Sequence, residues 1–152
     1  MKPARLLFVA ILAAALLIPA STSVADAAIR KVALGVSELD NQNVAAVDAY
    51  KSSVGRAPAL WAVWSDWGGA NRAFPTSFMS ALRTRGIVPM VNWQPIDPSH
   101  PTDCGNWSLD NIINGDHDAY IRQWAAAAKA YGGRVIVRFA HEMNGYWFIW
   151  GY

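Results

Sequence analysis

Val135-Ile136-Val137-Arg138-Phe139-Ala140-His141-Glu142-Met143-Asn144-Gly145-Tyr146-Trp147-Phe148-Ile149-Trp150 passes from an apolar, β-branched run into a polar and aromatic stretch. Such a run predicts a buried strand, here Arg134 to Ala140, and the residues after it predict a loop. Glu142 therefore stands where a strand ends, flanked by His141, Asn144, Trp147 and Trp150. A lone acid among aromatic platforms at such a point suits acid/base work on a sugar ring. Arg138, Ala140 and Glu142 alternate, so continued extension would place them on one face, with a fixed cation beside the carboxylate.

Working back along the chain, the same kind of run recurs three times, at Lys31–Val36, at Ala59–Trp64 behind Pro58, and at Ile87–Trp93. Pro89 is the weak point of the third, because it lacks a ladder donor. Between the strands lie helical patterns: Asn43–Val54 stopped by Gly55, a helix capped by Thr76 and closed at Gly86, and one from Asp116 or Asp118 to Ala128 stopped by Gly132 and Gly133. Asp66–Gly69 reads as loop, as does a long segment from Gln94 to about Gly115. Apolar strands joined by helix-length crossovers predict an α/β fold with a parallel sheet. Two closures compete, an open doubly wound sheet and a (β/α)8 barrel. No glycine-rich nucleotide fingerprint follows the first strand.

Composition narrows the function. The 152 residues carry a net charge of +2, and no basic cluster is longer than Arg30-Lys31, which argues against nucleic acid. Lys2 and Arg5 precede an apolar stretch from Leu6 to Ile18, broken by Pro19 and followed by Ala25-Asp26-Ala27. That stretch is shorter than the roughly 20 residues a bilayer requires, so residues 1–27 read as a cleaved signal peptide more readily than as an anchor. The rest is expected to be secreted, with no membrane contact after cleavage and as a monomer. Cys104 is the single cysteine, left either free or paired outside this segment. There are 8 tryptophans, more than a small core needs given that each indole N–H wants a partner. Trp64, Trp67, Trp93, Trp147 and Trp150 fall near strand ends, where pyranose rings could pack on them; Trp61 and Trp124 read as core.

Other chemistries lack their patterns. His141-Glu142 has no second histidine four residues on, so the zinc-helix pattern fails, and no nucleophile elbow is present. No cofactor or metal is expected. Glycoside hydrolysis needs two carboxyl groups, and only Glu142 reads as one; Asp66 and Asp97 are expected to be loop residues, and His100 and His117 to have no role.

Arg138, His141, Glu142, Met143, Asn144, Gly145, Trp147 and Trp150, supported by Trp61-Ala62-Val63-Trp64, by Arg85 to Trp93 and by Gly115, Asp118, Tyr120 and Ile121, resemble glycoside hydrolase family 26, best known for β-mannanases. The resemblance implies that 28–152 is the amino-terminal half of a (β/α)8 barrel working by a retaining mechanism. It implies that Glu142 is the general acid/base, its cycling served by burial beside the nucleophile. His141 would bind the reacting sugar, Arg138 would steady the carboxylates, and Trp147 would stack on a sugar beside the cleaved bond. Asn144, Trp93, Trp64 and Trp150 complete the expected substrate contacts. The family's nucleophile, a glutamate ending strand seven, has no counterpart here. The third strand ends Asn92-Trp93-Gln94-Pro95, where relatives carry Thr-Trp-Glu-Pro or a Trp-His pair, a change that bears on sugar choice. Mannan is the leading polysaccharide partner, before mixed-linkage β-glucan and β-xylan; a noncatalytic carbohydrate-binding remnant is the reading from another class. A half barrel exposes both sheet edges, so the segment alone is expected to be inactive and poorly folded.

Overall fold

A computed structural model describes residues 32–37 and 42–151. The expected signal peptide, 1–27, lies outside the described residues. Four strands form one parallel sheet in the order β1 (Gly35–Ser37), β2 (Leu60–Asp66), β3 (Val88–Gln94), β4 (Ile136–Phe139). Between them run α1 (Val44–Val54), α2 (Thr76–Thr84), two short helices α3 (Cys104–Trp107) and α4 (Leu109–Ile113), and α5 (Asp118–Tyr131). This is the α/β fold read from the sequence, a parallel sheet with alternating helices, and it is compatible with part of a barrel.

Local chemistry accounts for most helix boundaries. The Asn43 side chain accepts from the Ala45 and Ala46 amides at the start of α1, a cap of about 1 kcal/mol, and Gly55 ends the helix in the left-handed region. Asp103 and Ser108 cap α3 and α4 in the same way, giving structure to the expected long loop. Thr76 is not the cap expected of it. It is the first helical residue of α2, after Pro75, whose fixed φ starts the helix without a side-chain cap.

Pro89 is buried inside β3 and does not break it. The Val88 amide bonds towards β2, at the Ala59 carbonyl, so the next ladder position faces β4. Pairing with β4 begins only at Met90, so Pro89 occupies the one position where no donor is required.

Strand alternation sorts the side chains into two faces. Trp61, Val63, Val91 and Trp67 point to the helices, where Val47, Phe78, Met79, Leu82, Tyr120, Trp124 and Tyr131 bury against them in one core. Each fully buried large side chain there contributes about 1.5–3 kcal/mol through area removed from water. The opposite face carries polar residues in register: Trp64, Asn92 and Arg138 form one row across the sheet, and Asp66 opposite Gln94 forms the next.

The strand ends shift from expectation. β2 and β3 extend to Asp66 and Gln94, because parallel pairing continues to that register. β4 is shorter, stopping at Phe139, because Ala140 takes a φ of 43° and leaves the extended region.

Candidate active site

The loop 140–151 at the end of β4 is built around local strain. Ala140 and Glu142 both have positive φ, 43° and 55°, a region non-glycine residues rarely occupy. Strain of this kind persists only where surrounding contacts over-determine it, and it concentrates at functional sites. Here the contacts are a Gly145 amide bonded to the Glu142 carbonyl and the Trp150 indole bonded to the His141 carbonyl at 2.8 Å. Gly145 itself is tightly packed: a Cβ there would collide with the Trp147 indole.

The expected shared face of Arg138, Ala140 and Glu142 is not formed, since alternation ends with the strand. Arg138 lies on the polar face and donates to the Asn92 side chain at 3.2 Å; it makes no ion pair with Glu142. His141 is the residue that turns inward. It is buried, its ring edge-on to Trp64 at 5.2 Å and to Phe148 at 4.8 Å, and its Nδ1 has no hydrogen-bond partner. Burial lowers its pKa below the ordinary 6.5, the Arg138 charge lowers it further, and the Glu142 charge opposes both. Burial and the Arg138 charge therefore favour the neutral ring, whose Nδ1 is enclosed without a hydrogen-bond partner.

Glu142 is exposed, against the expected burial, at the carboxyl end of the sheet. Its Oε2 accepts a 2.8 Å hydrogen bond from the Trp147 indole N–H. Trp147 is 58 % exposed, so the ring that orients the carboxylate also offers an open apolar surface. Asn144 is exposed in the turn between them.

The other expected aromatic contacts divide. Trp64 remains partly open on the polar face beside His141. Trp93 is redirected: one position out of phase with Asn92, it points to the helices, with its ring 4.7 Å from that of Trp124 and its indole N–H on the Tyr120 hydroxyl. Trp150 is only 5 % exposed and stacks on Phe148 at 4.5 Å, so it braces His141 rather than facing a ligand. His100 is exposed near Asp97, and His117 stacks on Trp107 while bonding the Asn106 carbonyl, so His117 is structural.

Asp66 is the residue that a sequence reading as loop missed. It is the last residue of β2, buried, and its Oδ1 accepts from Gln94 Nε2 at 2.5 Å. Burial raises its pKa above the ordinary carboxylate value, partly offset by the Gln94 bond and reinforced by Asp97. The signal was present, since Ala62, Trp64 and Asp66 alternate on one face. Asp97 is a loop residue as expected, its carboxylate bonded to Ser99.

The chain is similar to Endoglucanase H of Acetivibrio thermocellus, 33 % identical over 73 residues, which is 48 % of this chain and 7 % of that protein. The chain thus spans only a small fraction of that relative. No family profile matches. An endoglucanase is a glycoside hydrolase, and the similarity supports a glycosidase-like relationship.

Proposed function

We propose that residues 28–152 form the amino-terminal half of a (β/α)8 barrel in a secreted, retaining glycoside hydrolase resembling family 26, acting on β-1,4-linked polysaccharide of the mannan type. Glu142 is its general acid/base, and the nucleophile is a glutamate supplied by polypeptide outside this segment. Glu142 protonates the leaving oxygen and then takes a proton from the incoming water. The observation that carries the reading is the Glu142 carboxylate at the carboxyl end of β4, oriented by the N–H of an exposed indole. Active sites of barrels gather at that end of the sheet. Trp147 and Trp64 offer apolar faces to sugar rings, and the buried His141 ring packs edge-on against Trp64.

A second reading within the same architecture is a β-glucanase, favoured by the similarity to an endoglucanase. Initial rates on β-mannan, mixed-linkage β-glucan and β-xylan, with the protein as its host produces it, decide between them. Glu142→Ala is expected to lower turnover on unactivated polysaccharide by about 10²–10⁴. Unchanged turnover removes Glu142 from the mechanism, and glycan binding without turnover in the parent protein leaves a noncatalytic carbohydrate-binding remnant.

A further inference from the structure

We infer that Asp66, positioned by Gln94, contacts a sugar hydroxyl and helps set which hexopyranose unit of a β-linked glycan is accepted beside Glu142. The inference deepens the glycan reading above and rests on it.

Asp66 and Gln94 are register partners at the last paired position of β2 and β3. Their backbones are tied beyond the strands: the Trp67 amide bonds the Gln94 carbonyl, and the Gly68 amide bonds the Ile96 carbonyl. Gly68 allows this approach, since a Cβ there would lie 2.6 Å from Asp97 Cβ and 2.9 Å from the Trp107 ring. The two side chains therefore hold a fixed geometry in an open cleft of about 410 Å³, which they line together with Trp64, Ile96, Pro98 and Pro101. A mainly apolar lining with one carboxyl–amide pair matches the chemistry of a pyranose, which has an apolar face and directional hydroxyls.

One N–H of Gln94 Nε2 goes to Asp66 Oδ1, which leaves the second N–H as a donor and the second carboxyl oxygen and the Gln94 carbonyl oxygen as acceptors in the pair that lines the cleft. Two acceptors at fixed separation discriminate a hydroxyl by its orientation on the ring, because a misplaced hydroxyl leaves buried acceptors unpaired. Trp64 links this cleft to the candidate acid, since the same indole packs edge-on against His141.

Calorimetric titration with mannotetraose and cellotetraose tests this, in a Glu142→Gln background so that nothing is hydrolysed. Asp66→Asn still accepts from Gln94 but loses the charge. It is expected to weaken the preferred tetrasaccharide about ten-fold or more and to narrow the ratio between the two sugars, with the near-ultraviolet tryptophan dichroism unchanged. Gln94→Ala, which frees the carboxyl from its tie, is expected to move affinity and ratio in the same direction, and is read instead if Asp66→Asn loses its fold. Affinities within two-fold of the parent and an unaltered ratio overturn the inference while leaving the glycan reading intact. Failure of the Glu142→Gln parent to bind mannotetraose, cellotetraose or xylotetraose overturns the glycan reading itself.

Discussion

The indole N–H of Trp147 donates to Oε2 of Glu142 at 2.8 Å across a turn whose backbone holds Glu142 at a φ of 55°. An exposed carboxylate on a flexible side chain would otherwise sample several rotamers. The bond and the strained backbone together select one, and the orientation does not depend on burial.

Separating the two roles of Trp147 is therefore possible. Trp147→Phe keeps an aromatic face but removes the donor, and is expected to lower kcat about ten-fold while KM changes less than three-fold. Trp147→Ala removes both and is expected to raise KM as well. Steady-state kinetics on the best polysaccharide reads the split; an unchanged kcat in Trp147→Phe would show that the hydrogen bond contributes nothing.

His141 carries a stability dependence on pH. Its folded pKa lies below the ordinary 6.5, first because of burial and then because of Arg138. The neutral ring's contribution is present above that value and is lost as pH falls from 6.5 through the lowered folded value. Thermal unfolding between pH 7.5 and 5 is expected to show the wild type losing stability relative to His141→Gln as pH falls. A difference that stays constant over that range contradicts this.

Trp93 is expected to behave as core despite its place at a strand end. Trp93→Ala removes a ring packed on Trp67, Trp124 and Phe139 and is expected to cost about 3–5 kcal/mol, read by chemical denaturation. At a temperature where the variant remains folded, its oligosaccharide affinity is expected to match the wild type. A ten-fold loss of affinity with little change in stability would return Trp93 to the ligand site.

Much of the architecture was legible because it follows from local periodicity. Apolar runs and glycine stops announce β1, α1, β2 and β3 in order, and helix-length connections require parallel pairing. The position of Glu142 beyond a strand was equally plain. The faces were harder to read, since they turn on a single residue of phase. Trp93 and Asn92 are neighbours, yet pairing sends the indole to α5 and the amide to Arg138.

The strands and the longer helices, in their order, follow from the chain's own pattern, because breakers and hydrophobic spacing act over a few residues, whereas the short α3 and α4 fall in a segment that reads as loop. Long-range pairing and packing set the rest: Asp66 ends a strand, β4 stops at Phe139, and His141 rather than Glu142 turns inward. Those outcomes depend on how far pairing with Gln94 extends, and on contacts from Trp150 and Trp147 that hold Ala140 and Glu142 in conformations their own propensities disfavour.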